Sequence, residues 1–410
     1  MYSLAVKIAM ASLVRRATRS FLVMLMICVS LWGLLLMQGI YDGMTEQMIT
    51  NAIRSDSGQL SIFAEGYRLD PGLDKLVAYT LEEQERLETF LNRHKTVVKT
   101  RVRRLRQNGL VATAHYSRNT EIFGIDLEGE KKHGNLQNYL ILGKYDFGSR
   151  QKGAIIGFKL AEKLQVGVGK KIILSAQDKD NEVTSVALKV TGIIKTNNMN
   201  LDENVVFLDL EKCRSFLGVQ RGVSQISVMM YDEKLLPQLQ KDLQNTFPYE
   251  ILRWDEMYPA LMQSRVLMKG FSLMVSGMIF GVAGLGIFGV IMVSVLERIR
   301  EFGVMLAIGT SFNQVRIIIL AESLFMGLSG FVAGSICGGL SLLYFNKYGL
   351  DLTVFSDAFS EFGMDAVTYA VIRPEYFSTA FAAVILATLL STWFPLRLLK
   401  KARPIEVIHE

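Results

Sequence analysis

Long apolar stretches alternate with polar ones along this chain, and the polar segment after the first apolar stretch is by far the longest. About 20 consecutive apolar residues are enough to cross the hydrocarbon core of a membrane as a helix. The pattern predicts four such spans, at residues 21–40, 266–296, 313–346 and 376–396. Within the third of these predicted spans, only Glu322 is acidic.

The polar segment 41–265 carries the periodicities of a mixed domain. A helical spacing of leucines predicts a helix at 81–94, and a second helix is predicted at 235–247. Runs rich in β-branched residues predict strands at 170–176, 183–194 and 204–210. The predicted fold class is therefore an α-helical membrane protein with four transmembrane helices and a large α+β extracytoplasmic domain inserted between helices 1 and 2.

Charge at the ends of the apolar stretches predicts their orientation. Cations predominate in residues 1–20 and 397–403, and Arg298, Arg300 and Arg316 lie in or near the turn after the second span. The loop at 347–375 is mostly acidic. Because cytoplasmic loops are rich in Lys and Arg, both termini and this turn are predicted to be cytoplasmic, and the 41–265 domain periplasmic.

This orientation gives a predicted order of segments. The first span follows a basic stretch but is longer than the apolar region of a signal peptide, with no A-x-A-like site after it, so we expect it to be uncleaved. The predicted segments are a cytoplasmic N-terminal helix at 1–20, spans at 21–40 and 266–296 around the periplasmic domain 41–265, a cytoplasmic coupling helix at 297–312, spans at 313–346 and 376–396 around a periplasmic loop at 347–375, and a cytoplasmic tail at 397–410.

Catalytic and nucleotide-binding patterns are absent from the sequence. "VGVGKK" (166–171) lacks both the first glycine and the Ser/Thr of a phosphate-binding loop, and a turn between a helix and a strand explains it better. The three cysteines and four histidines have no metal-binding spacing. We therefore predict no catalytic residue and no metal site, and the net charge of +6 next to apolar runs favours a membrane over nucleic acid.

Two spans contain glycines four residues apart, a spacing that places small residues on one helix face and lets helix backbones approach closely in lipid. We predict a helix-packing role, within the chain or against a second subunit, for Gly277, Gly281, Gly330, Gly334 and Gly338. For Glu322 two interpretations stay open. One is an interfacial position in contact with a neighbouring helix or partner, and the other is a proton or substrate relay.

The turn after the second span concentrates charge and then apolar side chains. A short helix over 297–308 would place Glu297, Arg298, Arg300 and Glu301 in water or headgroups. Phe302, Met305, Leu306 and Ile308 would then supply apolar surface for a partner. The pattern suits an exposed docking helix, but a simple re-entry turn stabilised by charges explains it as well.

The same stretch, "LERIREFGVMLAIGTSFNQVRIIILAESL" (296–324), resembles the segment after the second span in the MacB/FtsX/LolC-LolE family of ABC transporter permeases. Weaker resemblances run through residues 153–174, 189–218 and 403–410, with Lys170 where the family usually has Asp. Thr310 stands where the family motif usually has alanine. The motif positions that match are Glu297, Arg298, Glu301, Gly303, Ala307, Gly309 and Ser311.

The resemblance implies a permease that works as a pair, with itself or a relative, together with a cytoplasmic ABC ATPase dimer. ATP and Mg would be bound by those ATPase subunits, and this chain would hold no cofactor. The implied coupling residues are Glu297, Arg298, Arg300, Glu301, Phe302, Gly303, Met305, Ala307 and Gly309. On this interpretation Glu301→Arg or Phe302→Asp would uncouple ATP hydrolysis from function while the protein still inserts.

Among the branches of this family, the layout most resembles lipoprotein-releasing permeases of the LolC/LolE type, which pass acylated lipoproteins to a periplasmic carrier. The coupling sequence is closer to MacB-type efflux permeases, and FtsX-like signalling to an envelope hydrolase is a third possibility. A structural or adhesion ectodomain on a membrane anchor would need no ATPase. Substrate-lining positions are expected within Leu22–Met37 and Val266–Phe280, where simple lipid-facing packing explains each residue equally well.

Overall fold

The computed structural model describes residues 17–148, 151–196, 198–355 and 367–401. The predicted N-terminal segment up to residue 16, residues 356–366 of the acidic loop and the tail from residue 402 lie outside these ranges. The chain folds as two compact units. The four-helix unit holds the described residues up to Thr45, Ser264–Asp351 and those from Val367, and the sheet unit is built on Glu46–Gln263.

Helices and strands follow one another in a simple order. The helices are α1 (Ala17–Ala52), α2 (Leu81–Arg93), α3 (Leu127–His133), α4 (Phe158–Lys163), α5 (Met199–Asn204), α6 (Leu210–Phe216), α7 (Leu236–Thr246), α8 (Trp254–Met257), α9 (Pro259–Glu297), α10 (Ile299–Ala307), α11 (Phe312–Tyr348) and α12 (Pro374–Lys401). The strands are β1 (Leu60–Ala64), β2 (Val98–Ala112), β3 (Ser117–Ile125), β4 (Leu140–Gly143), β5 (Gly153–Gly157), β6 (Lys171–Gln177), β7 (Val183–Ile194), β8 (Val205–Asp209), β9 (Gln225–Met230), β10 (Tyr249–Arg253), β11 (Leu350–Asp351) and β12 (Val367–Thr368).

The sheet unit is an α+β domain, as predicted. Its ten strands run in the order β10-β1-β9-β2-β3-β8-β5-β7-β4, with β6 pairing to β2 and β7. The predicted strands correspond to β6, β7 and β8, and the predicted helices to α2 and α7. Helix α2 begins where the Thr80 hydroxyl accepts a hydrogen bond from the amide of Glu83 at 3.2 Å, and it buries Leu87 and Leu91 in the core of the unit.

A neutral histidine is buried in this unit. His133 Nε2 lies 2.9 Å from Ser227 Oγ and its Nδ1 lies 3.0 Å from Thr100 Oγ1. Burial, and then the charge of Arg104, lower the pKa of His133 to about 3. The unfolded imidazole takes up a proton near its ordinary pKa of about 6.5. Between these two values the unfolded state binds more protons, so acidification favours unfolding.

We therefore expect the stability of the sheet unit to fall by about 3 kcal/mol between pH 7 and pH 4. Trp254 belongs to this unit, so the measurement is urea unfolding in detergent followed by tryptophan fluorescence in a chain carrying Trp32→Phe and Trp393→Phe. His133→Asn is the control and should remove most of this pH dependence. An equal pH dependence with and without His133 would contradict the assignment.

Four helices make up most of the other unit. Stretches long and apolar enough to cross a membrane are found at Ser20–Ser57, Pro259–Glu297, Phe312–Tyr348 and Pro374–Arg397. The length and composition of these helices confirm the prediction of four transmembrane helices. The helices extend beyond the predicted spans at several ends. One apolar core joins α1, α9, α10, α11 and α12, and it includes Ile27, Ile291, Phe302, Ile319 and Val384.

The third long helix packs on the first through its glycines. A Cβ added to Gly330, Gly334 or Gly338 would come within about 3 Å of a side chain of α1. The partners are Ile27 for Gly330, Leu31 for Gly334 and Leu35 for Gly338. We call this contact the glycine seam, and at these three residues the lack of a side chain allows the two helices to approach closely.

The glycines of α9 are different, because a Cβ at Gly277 or Gly281 would meet no atom of the described residues within 4 Å. Among the residues that the structure describes, none approaches them closely enough to require a glycine, and a role against a second subunit stays a prediction.

The contrast between the two glycine pairs gives a matched test. Gly334→Leu should destabilise the four-helix unit by about 1–3 kcal/mol, because its side chain would overlap Leu31 and the backbone of Cys28. Gly281→Leu adds the same side chain where there is room and should change stability little. The measurement is the melting temperature of each purified variant in detergent. An equal fall in melting temperature in both variants would show that the glycine seam does not depend on close approach of α11 to α1.

Candidate functional site

A short helix lies between the second and third long helices, and local backbone chemistry sets its limits. Helix α9 ends at Glu297, and Arg298 breaks the helical path before α10 begins at Ile299. Gly309 ends it with φ at +98°, a value that favours glycine. The amides of Gly309 and Thr310 bond to the carbonyls of Leu306 and Met305 at 3.1 and 2.9 Å, which forms a Schellman motif.

Arg298 anchors this short helix to the rest of the four-helix unit. Its Nη1 donates to Glu322 Oε2 at 2.8 Å, and both side chains are only 10% exposed. Its Nε donates to Glu301 Oε2 at 3.0 Å, and its guanidinium lies 4.8 Å from the centre of the Phe302 ring. Arg298 therefore faces inward and joins α10 to α11, instead of meeting water as predicted.

The inward face of α10 also contains Phe302. Its side chain is 1% exposed and packs with Val295, Val315 and Ile319. The prediction that Phe302 offers its ring to a partner is therefore wrong, because the ring already fills the apolar core beneath the helix. Gly303 is likewise buried, and Met305 is half-buried.

The outward face of α10 is a small mixed surface. Val304 is 50% exposed and Ile308 is 78% exposed, and they are four residues apart. Arg300 and Glu301 lie one turn before Val304 and are exposed as well. We call Arg300, Glu301, Val304, Ala307 and Ile308 the α10 surface; Ala307 is also exposed. Glu297 and Gly309, at the two ends of the turn, are exposed too.

The structure therefore divides the predicted coupling residues into an anchoring set and an outward set. Val304 was missed because an isolated valine gives no signal in the sequence. The Arg298–Glu322 pair was missed because 24 residues separate its members along the chain. The clue available was that the single acid of the third span had no assigned cation. Contact with a neighbouring helix, one of the two interpretations of Glu322, is confirmed.

Comparisons with known families match almost the whole chain. Residues 20–246 match the family described as MacB-like periplasmic core domain. Residues 273–404 match the family described as FtsX-like permease C-terminal.

Curated relatives are distant. The chain is 24% identical over 298 residues to the lipoprotein-releasing system transmembrane protein LolC of Buchnera aphidicola, covering 71% of this chain and 72% of that one. It is 22% identical over 253 residues to the macrolide export ATP-binding/permease protein MacB of Haemophilus ducreyi, covering 58% of this chain but 34% of that one. Among solved structures, the periplasmic region of MacB from Actinobacillus actinomycetemcomitans is similar, at 14% identity and a TM-score of 0.35 over 51% of this chain and 95% of that one.

Proposed function

This chain belongs to the MacB/FtsX/LolC family of ABC transporter permeases, and we propose that it is a permease subunit driven by a separate cytoplasmic ATPase. The observation that carries the proposal is the α10 surface, which combines exposed apolar and charged side chains on a helix fixed from behind by Arg298. A helix held in this way can be displaced by a bound partner without unfolding. ATP and Mg would bind to the partner, and this chain would contribute no catalytic group.

In the proposed mechanism, the ATPase dimer contacts the α10 surface of each of two permeases. Closure of the ATPase on ATP would displace α10, and the Arg298–Glu322 contact would pass that displacement to α11. The glycine seam would then carry it to α1. The sheet unit would do its work in the periplasm, with both termini in the cytoplasm, as the charge pattern favours. The membrane is proposed to be the bacterial inner membrane.

For the transported molecule, we propose lipoproteins taken from the inner membrane and delivered to a periplasmic carrier. The support is the similarity to LolC, whose alignment spans 72% of that relative, and the overall layout of the chain. Efflux of peptides or small molecules is the second candidate, supported by the MacB-like periplasmic core match and the MacB relative.

The test is gentle purification of the tagged chain from its own membranes, with identification of everything that remains bound by mass spectrometry. Acylated lipoproteins together with an ABC ATPase would support lipoprotein release, and a second permease sequence would reveal a heterodimer. The ATPase with a periplasmic adaptor and no lipoprotein would favour efflux. Recovery without any ATPase, at a detergent concentration that preserves other ABC complexes, would contradict the proposed function.

A further inference from the structure

A cluster of buried charges lies in the sheet unit, apart from the α10 surface. Asp56 is 8% exposed, Arg104 2% and Glu130 2%. Arg104 forms two bonds with Glu130, from Nε at 2.6 Å and from Nη2 at 2.8 Å, and a third to the backbone carbonyl of Asp56. Arg106, two residues further along β2, donates to Asp56 Oδ1 at 3.0 Å and to Glu121 Oε1 at 2.7 Å.

The cluster joins the two places where the chain enters and leaves this unit. Asp56 lies in a π-helical turn, Ile53–Ser57, that directly follows α1. Tyr258 is the last residue before α9, and its hydroxyl donates a hydrogen bond to Asp56 Oδ2. Strands β1 and β10, which lie on the domain side of these two points, pair with each other from Leu60↔Arg253 onward. We call Asp56, Tyr258, Arg104 and Arg106 the junction cluster.

Stability alone does not account for these charges. Burying charged groups costs several kcal/mol each, and apolar residues of similar volume often give equal or greater stability. What a fully bonded buried network provides is a fixed geometry among its members. Burial by itself would raise the pKa of the Asp56 carboxyl, but Arg106 and Arg104 lower it below the ordinary value, so Asp56 remains an anion that holds both arginines.

The junction cluster also has the means to change state. Arg106 bridges two carboxylates, those of Asp56 and Glu121, so it can keep one partner if the other withdraws. One side of the cluster borders an open groove of about 290 Å³, lined in part by Asp56, Arg106 and Tyr258. Single-turn π-helical segments of the kind that carries Asp56 are frequent at functional sites.

We propose that the hydrogen bond between Tyr258 and Asp56, held by Arg104 and Arg106, couples displacement of α1 against α9 to the sheet of this unit. Tyr258 and Asp56 are then positioning residues, and the proposal rests on the proposed function because it needs an ATP-driven displacement of the helices. When this hydrogen bond is intact, displacement of one helix end is transmitted to β2 through Arg104 and Arg106. When it is absent, the pairing of β1 with β10 still joins the two strands, but the helix ends lose their direct link to the arginines and the sheet receives less of the motion.

The test uses the complete complex with its partner ATPase in lipid nanodiscs, and it needs no knowledge of the transported molecule. Hydrogen–deuterium exchange is compared between the nucleotide-free complex and the complex trapped with ATP and vanadate. Tyr258→Phe removes only the hydroxyl. The matched control is Tyr249→Phe, which removes another hydroxyl of the same unit, the one that accepts a hydrogen bond from the amide of Ala78 at 3.2 Å.

In the unaltered chain, trapping should change exchange both in α10 and in β2 and β10. In Tyr258→Phe the change in α10 should remain, while the change in β2 and β10 should shrink at least about fivefold. Tyr249→Phe should behave like the unaltered chain. A full response of the strands in Tyr258→Phe, or an equal loss in Tyr249→Phe, would overturn the junction proposal alone. No change in α10 of the unaltered chain would overturn the proposed function, and the junction proposal with it.

Discussion

Replacing Arg298 with leucine is expected to lower the free energy of unfolding of the four-helix unit by about 3–5 kcal/mol, because Glu322 would keep a buried charge without its partner. The side chains of Arg298 and Glu322 are each 10% exposed, and Arg298 Nη1 lies 2.8 Å from Glu322 Oε2, so water cannot readily replace the guanidinium. The measurement is unfolding of the whole chain in mixed micelles by added SDS. It is followed by tryptophan fluorescence in a chain carrying Trp254→Phe, which leaves Trp32 and Trp393 as probes of this unit.

The double variant Arg298→Leu/Glu322→Leu provides the control for that experiment. Removing both charges leaves no unpaired group, so most of the lost stability should return. Glu301→Ala should have a small effect, below about 1 kcal/mol, because Glu301 is 58% exposed and water can take its place. Losses that simply add in the double variant would show that Arg298 and Glu322 contribute independently.

Ile308→Asp is expected to weaken binding of the partner ATPase by about 10- to 100-fold while leaving the permease folded. Ile308 is 78% exposed, so a carboxylate there is solvated in the isolated chain, but it would be desolvated beneath a docked partner. The measurement is ATPase retained on immobilised permease as the ATPase concentration is varied. Val183→Asp serves as the matched control, because Val183 is 74% exposed but belongs to the sheet unit.

Phe302→Asp would give a different result from the one predicted from the sequence. A carboxylate at a position that is 1% exposed would enter the apolar core, so the variant should fail to fold stably instead of uncoupling a folded complex. If Ile308→Asp bound the ATPase normally and a stably folded Phe302→Asp did not, the assignment of inward and outward faces on α10 would be incorrect.

Local patterns in the sequence predicted the elements well. The apolar stretches predicted the four long helices, and strands β6, β7 and β8 follow from their β-branched runs, because both signals are contained within a few neighbouring residues. The C-terminal end of α10 also has a local cause, since Gly309 adopts the positive φ that terminates the helix.

Contacts between distant residues could not be predicted in the same way. Asp56 and Tyr258 are 202 positions apart, and neither is distinguished from its neighbours by composition. The glycine motifs show a related limit. Gly277–Gly281 and Gly330–Gly334 have the same spacing, yet in the described part of the chain only the second pair is closely approached by another helix. The spacing shows that a close approach is possible, and only the packed structure shows which surface is approached.

The glycine seam has a regular step. Its partners on α1 recur every four residues, Ile27, Leu31 and Leu35, in phase with Gly330, Gly334 and Gly338. Sliding α11 by one step, about 6 Å, would set Gly330 opposite Val23, Gly334 opposite Ile27 and Gly338 opposite Leu31. Every glycine would again face an aliphatic side chain. A shift of only about 3 Å would not place the glycines opposite these side chains. The packing of the two helices is therefore restored only after a shift of four residues, so that sliding between them is favoured in whole steps.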